Sequence, residues 1–155
     1  MKQRIFLVFP IIFLLLSLFV LTAFAENDID QHRDCTQCGM DRKAYGYSRM
    51  LVEYKDGTQA GTCSLHCVVA EITGNKNREV STLKVADRDT RQLIDAEKAL
   101  WTIGGKKRGV MTMRAKWAFA TREAAQKFVT LYGGAIATWN EALAAAGEDA
   151  TPKPR

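Results

Sequence analysis

The chain has 155 residues, 47% hydrophobic and 25% charged, and carries 22 Lys and Arg against 17 Asp and Glu for a net charge of +5. This is the composition of a globular protein and excludes disorder throughout. The positive excess is small and interspersed with acids, so it leaves no electrostatic footprint for nucleic acid.

Met1 to Arg4 is a short basic start, the stretch 5–21 is almost wholly apolar, and Ala23-Phe24-Ala25 places small residues where a signal peptidase reads them. Residues 1–25 are therefore expected to be a Sec-type signal peptide. An uncleaved N-terminal membrane anchor is the alternative, because the apolar run borders on the length of a span. No cysteine follows the leader at once, so nothing marks a lipoprotein attachment site. Beyond residue 25 remain 130 residues, with 20 Lys and Arg against 17 Asp and Glu, enough for an independent core. The expected location is the periplasm, with membrane contact only if the leader is retained, and there the thiols meet oxidising conditions.

Residues 26–34 are polar and read as a flexible lead-in. Arg49 to Tyr54 reads as a strand, Lys55-Asp56-Gly57-Thr58 as a turn with the Asp-Gly signal, and Gln59 to Cys63 as the returning strand. Leu65, Val68, Val69 and Ile72 recur at helical spacing behind Ser64 as N-cap, with Gly74 at the expected stop. Ser81 to Ala86 is the next strand candidate. A second run follows: strand-like Arg91 to Asp95, a Gly104-Gly105 loop carrying Lys106, Lys107 and Arg108, and strand-like Ala115 to Ala120. Thr121 then caps a helix whose Ala124, Ala125, Phe128, Leu131 and Tyr132 form one apolar side before Gly133-Gly134. A short strand at 135–138, a closing helix over 139–146 and a disordered tail over 147–155 complete the reading. Strand–strand–helix–strand thus occurs twice, and the expected fold class is α+β: two ββαβ-like units forming one small domain, 35–146, after the signal segment.

The four cysteines stand as Cys35-Thr36-Gln37-Cys38 and Cys63-Ser64-Leu65-His66-Cys67. A Cys-x-x-Cys turn and a second pair at a helix entrance can bring four sulfurs to one centre at little backbone cost. On the expected helix Cys67 lies about 200° round from Leu65, off the apolar face. Its place in the first turn sets the thiol near the positive end of the helix dipole, which favours the thiolate. Four readings remain open: two disulfides, a structural zinc site made by all four cysteines, a redox-active Cys-x-x-Cys and a soft-metal site. Met40, directly after Cys38-Gly39, together with Met111 and Met113, favours the last, because thiolate and thioether sulfur select Cu(I) whereas zinc rarely takes methionine. Met50 lies in a strand and reads as core filler. His66 is either a ligand or a surface residue, and His32 in the lead-in is incidental.

The run Asp34-Cys35-Thr36-Gln37-Cys38-Gly39-Met40 resembles the Cys-x-x-Cys-Gly-Met opening of the NosL family. Further landmarks stand in the family's order: Asp56-Gly57 before Cys63, Val85-Ala86-Asp87, Ile94-Asp95-Ala96, Gly109-Val110-Met111 in the place of a Gly-Pro-Met loop, then Trp117-Ala118-Phe119, Ala125, Phe128 and Gly133-Gly134. The resemblance covers about 34–143. It implies paired ββαβ units and an exported Cu(I)-binding accessory protein, associated in well-studied members with copper delivery to nitrous oxide reductase. The ligands it implies here are Cys38, Met40 and Met111. Cys67 gives a fuller thiol set than the family motif requires, and many members are lipoproteins whereas this leader has no acylatable cysteine.

The expected function is a periplasmic Cu(I)-binding metallochaperone, not an enzyme, with a metal site drawn from Cys35, Cys38, Met40, Cys63, His66, Cys67 and Met111. The expected partner is a metalloenzyme or copper-transfer machinery. The competing expectations are a structural zinc or disulfide-stapled interaction module, with Zn(II) in place of copper, and a thiol-disulfide oxidoreductase.

Overall fold

A computed structural model describes residues 27–150; the expected signal peptide or anchor over 1–25 and the end of the expected tail, 151–155, lie outside the described residues. Its elements run α1 (Asn27–Gln31), β1 (Met50–Tyr54), β2 (Gln59–Thr62), α2 (Leu65–Gly74), β3 (Val80–Ala86), β4 (Leu93–Asp95), β5 (Leu100–Ile103), β6 (Lys116–Phe119), α3 (Arg122–Tyr132), β7 (Ala135–Ala137) and α4 (Trp139–Ala150). No helix among the described residues is long and apolar enough to cross a membrane.

The fold is α+β, built on two antiparallel sheets ordered β2-β1-β3-β4 and β6-β5-β7. In each, the second strand of a ββαβ unit pairs with the first, and the third strand pairs with the first on its other edge. The expected repetition is therefore present, with one strand reassigned. Residues 93–95 are not the first strand of the second unit: they add to the first sheet as β4, paired with Lys84 to Ala86. The second unit begins instead at β5, whose Trp101 faces Ala118 and whose Thr102 faces Trp117.

Period-two alternation sorts the strand residues between cores. Met50, Val52 and Tyr54 of β1 join Leu65 and Val68 of α2, Trp101 and Ala118 of the second sheet, and Ala142 and Ala146 of α4 in the main core. On the opposite face of the second sheet, Trp117 and Phe119 pack with Ala125 and Phe128 of α3 in a second, aromatic core. Met50 is wholly buried, as core filler should be. Thr121 caps α3 by accepting from the Ala124 N–H at 3.2 Å, and Gly133 ends it at φ 74°. At the end of α2, however, Asn75 serves as the cap rather than Gly74. The closing helix runs on to Ala150, four residues beyond the expected stop, held by Lys116 against Asp149.

The two units are pinned together by Asp87, a buried residue that follows β3. Its Oδ2 accepts from the Ala120 N–H at 2.9 Å, while the Arg88 N–H donates to the Ala118 carbonyl at 2.9 Å. Within the segment read as a flexible lead-in, Asn27–Gln31 form the short helix α1. The physical reason is Asp28, whose carboxylate takes Arg42 at 3.0 Å and Arg49 at 2.9 Å. Arg42 is 0% exposed and also donates to the carbonyls of Asp28, His32, Met50 and Thr62, so one buried guanidinium fastens α1, β1 and β2 together. His32, read as incidental, contributes through its backbone.

Candidate metal centre

The Cys-x-x-Cys segment folds into a knuckle. Cys35 N–H donates to the Met40 carbonyl at 2.9 Å and Gly39 N–H donates back to the Cys35 carbonyl at 2.9 Å. Gly39 supplies the left-handed turn at φ 71°, a conformation that glycine adopts without steric cost. The chain is thereby reversed, and Met40 returns beside Cys35. Thr36 N–H donates to the Gly61 carbonyl at 2.9 Å and lays the knuckle on β2, whose next residues deliver Cys63 and the start of α2.

The four thiol sulfurs all lie within 4.8 Å of one another, and none is in a disulfide. Cys38 stands 3.5 Å from Cys63, Cys63 stands 3.7 Å from Cys67, and Cys67 stands 3.8 Å from Cys38. A tetrahedron of sulfurs each about 2.3 Å from a central ion has edges of about 3.8 Å, so the cluster already has the span of a metal-thiolate site. Cys35, Cys63 and Cys67 are buried with Val110, and Met40, Cys38, Tyr45 and Tyr47 pack around them. Cys67 does lie off the main core face of α2, as the helical spacing predicts, yet it is buried, because the knuckle covers that side of the helix.

A carboxylate organises this cover. Glu71, one turn beyond Cys67 and buried, accepts from Thr36 Oγ1 at 3.1 Å and from Gln37 Nε2 at 2.6 Å through Oε2. Its Oε1 accepts from Tyr54 Oη at 2.8 Å and from Asn75 Nδ2 at 3.0 Å. Burial and the Glu71 hydrogen bond push the Tyr54 hydroxyl up to about 12. Sequence reasoning missed Glu71, since a single glutamate within a helix carries no mark of burial; the available signal was its i, i+4 relation to Cys67.

The sulfurs share protons unevenly. Cys63 and Cys67 donate to the Cys35 sulfur and hold that thiol far below its ordinary value, helped by the Gln37 and Cys38 N–H groups. The converse holds for the donors: the bond to Cys35 pushes Cys67 up to about 12, and it raises Cys63 as well. Protons and negative charge are thus shared within one buried group of sulfurs, and a cation entering it would take the protons' place.

The remaining expected ligands are placed differently. Met111 stands at the surface, 43% exposed, in left-handed backbone geometry at φ 55°, next to the Val110 that seals the thiols. Met113 is 97% exposed. His66 is half-buried and outside the thiol group; its Nδ1 is buried without a hydrogen-bond partner and it lines a small cavity of about 10 Å³ shared with Trp117.

Comparison with known proteins agrees with this architecture. The solved structure "Crystal structure of the copper chaperone NosL from Shewanella denitrificans" superposes with a TM-score of 0.59 at 20% identity, covering 73% of this chain and 91% of that one. Its described role, copper chaperone, is that of a carrier and not of an enzyme. No curated protein matches the chain. The sequence profile of the NosL family matches residues 26–146, the knuckle, both ββαβ units and most of α4 included. The chain belongs to the NosL family.

Proposed function

We propose that this protein is an exported Cu(I) carrier that holds the ion on sulfur and passes it to a partner metalloenzyme by ligand exchange. The observation that carries the reading is a group of four free thiols whose sulfurs lie within 4.8 Å of one another, with the Met40 side chain packed against the buried cluster that Cys35, Cys63 and Cys67 form with Val110. Soft thiolate and thioether ligands select Cu(I) over harder ions. The solved relative described as a copper chaperone and the signal-like leader support the same reading. The proposed compartment is the periplasm, and the proposed client, on the family resemblance, is nitrous oxide reductase or the machinery that supplies it.

In this scheme Cys35, Cys38, Cys63 and Cys67 offer more sulfur than a two- or three-coordinate Cu(I) needs. An incoming ligand can therefore add before a resident one leaves, and the ion never passes through a bare state. Met111 is the accessible sulfur at the rim, 43% exposed, and is proposed to meet the ion as it enters or leaves.

One observation favours a second reading, a structural zinc centre: sulfur separations of 3.5, 3.7 and 3.8 Å suit four thiolates around a tetrahedral ion. Anaerobic titration of the reduced protein with Cu(I) against a chromogenic chelator separates the two. The carrier reading expects one tight Cu(I) per chain, weakened about tenfold, or about 1.4 kcal/mol, by Met40→Leu, with zinc affinity unchanged. Failure to compete for Cu(I), with one zinc held tightly and indifferent to Met40→Leu, would sink it.

A further inference from the structure

Beside the thiol cluster lies a cleft of about 410 Å³ with an unusual lining. Arg88 and Arg91 form one side, from the turn after β3; Lys107 and Arg108 form another, from the loop between β5 and β6. Half-buried Tyr47 and the edge of the buried Trp117 form its floor, and Asp89 is the one acid. Asp89 is taken by Arg88 at 2.6 Å. Arg91, Lys107 and Arg108 have no carboxylate within ion-pair distance among the described residues, and all three are exposed.

Both sides of the cleft are held in shape. Arg91 sits in left-handed geometry at φ 61°, its N–H donating to the Asp87 carbonyl and its carbonyl accepting from the buried Arg49 at 2.8 Å. The opposite loop is fixed by Lys106 N–H donating to the Tyr132 carbonyl at 2.7 Å and by Gly105, where a Cβ would come within 2.6 Å of the Gly133 carbonyl oxygen. Like charges are therefore kept close together by the fold and not by a neutralising partner, an arrangement that favours an anionic visitor.

The cleft is also joined to the metal site twice. Tyr47 packs against the thiol cluster and, 5.6 Å between ring centres, against Trp117. Arg108 in the cleft is two residues from Val110, which seals the thiols, and three from Met111 at the rim. We propose that this cleft docks an acidic segment of the protein with which the thiol site exchanges its metal. Cations spread over two loops, with no free acid among them, suit an extended run of Asp and Glu. The proposal rests on the carrier reading above, and it assigns the transfer partner a chemistry: carboxylate-rich chain flanking its own metal ligands.

The test uses the metal-free, reduced full chain and a fluorescein-labelled hexaglutamate peptide followed by fluorescence polarisation at low ionic strength. Arg91→Gln/Lys107→Gln/Arg108→Gln is compared with Lys43→Gln/Lys76→Gln/Lys127→Gln, which removes the same charge from exposed positions elsewhere. The cleft variant is expected to weaken peptide binding about tenfold or more and the control variant less than about twofold, with the difference collapsing in high salt. Equal losses in both variants, or none in either, overturn the proposal. So does inorganic phosphate displacing the peptide more strongly than sodium chloride of the same ionic strength, which marks a small-anion site. Chelator competition for Cu(I) should be the same in the cleft variant and the parent. A parent chain that binds the peptide but takes up no Cu(I) overturns the carrier reading, and with it the exchange role, while the peptide data still locate the docking surface.

Discussion

Gln37 donates to the Glu71 carboxylate across 2.6 Å, so a residue inside the Cys-x-x-Cys turn is tied directly to the helix that carries Cys67. Thr36 makes a second tie to the same oxygen, and Tyr54 and Asn75 occupy the other. Four donors converge on one buried acceptor pair, which only a carboxylate can satisfy in full. Glu71→Leu should loosen the knuckle and lower metal affinity by about 10–100-fold, the range seen when ligand-orienting partners are lost. Glu71→Gln keeps one acceptor oxygen and should fall between. Chelator competition on both variants, after circular dichroism confirms folding, checks the order; a folded Glu71→Leu with parental affinity would refute the positioning role.

Arg42→Met removes a buried cation from Asp28 and takes one donor from each of the carbonyls of His32, Met50 and Thr62. Breaking one side of a buried, hydrogen-bonded ion network costs about 3–5 kcal/mol. Urea unfolding should show that loss. The double variant Asp28→Asn/Arg42→Met should be less than additive, because each partner is costly only while the other remains.

Acid should weaken the same network. Burial alone would raise the Asp28 carboxyl, but the Arg49 hydrogen bond and the charges of Arg49 and Arg42 outweigh it and hold the group below its ordinary 3.8. A carboxyl depressed in the fold contributes stability that is fully present above the ordinary value and is lost as pH falls through the lower, folded value. Denaturation midpoints should thus hold steady down to about pH 4 and decline below it. Asp28→Asn should be less stable at neutral pH and should show a flatter acid limb; an unchanged acid limb would remove Asp28 from the explanation.

Metal loading should release protons. Cys67 is pushed up to about 12 and Cys63 is raised too, so both hold protons in the metal-free protein at neutral pH. An ion that takes both as thiolates must displace about two protons, and its apparent affinity should rise with pH by up to about a hundredfold per unit. A pH indicator in weak buffer during anaerobic titration reads the stoichiometry. Release of no proton would mean that neither thiol becomes a ligand.

Gly61→Ala should destabilise the protein without touching a sulfur. A Cβ at that position would lie 2.5 Å from His32 Cβ and 2.7 Å from Arg42 Cζ, displacing the guanidinium from its carbonyls. The expected cost is about 1–3 kcal/mol, as for other overpacked interior sites. Thermal unfolding of Gly61→Ala beside Gly74→Ala, where a Cβ meets nothing within 4 Å, gives the comparison.

What could be read from the sequence followed the strength of local signals. The hairpin announced itself through Asp56-Gly57, and α3 through Thr121 and Gly133-Gly134, because caps and turns depend on residues a few positions apart. The thiols were legible as a group from spacing alone. The first strand of the second unit was not: Leu100 to Ile103 is only four residues long and does not alternate cleanly, while Arg91 to Asp95 alternates like a strand and its last three residues, Leu93 to Asp95, are one, in the other sheet. Asp28, Arg42 and Glu71 escaped notice for a different reason. Each is charged, and only its distant partners make burial tolerable, a fact no single stretch of chain contains.

The two ββαβ units carry a serine and a threonine at matching helix caps, Ser64 and Thr121. Counting from those caps, Cys63 and Cys67 in the first unit correspond to Ala120 and Ala124 in the second. One architecture thus appears twice, armed with sulfur in one copy and left inert in the other. Scaffold and chemistry are separable in this protein: the armed half differs from its silent twin by two cysteines at the helix entrance and by the knuckle laid over them, not by the ββαβ frame they share.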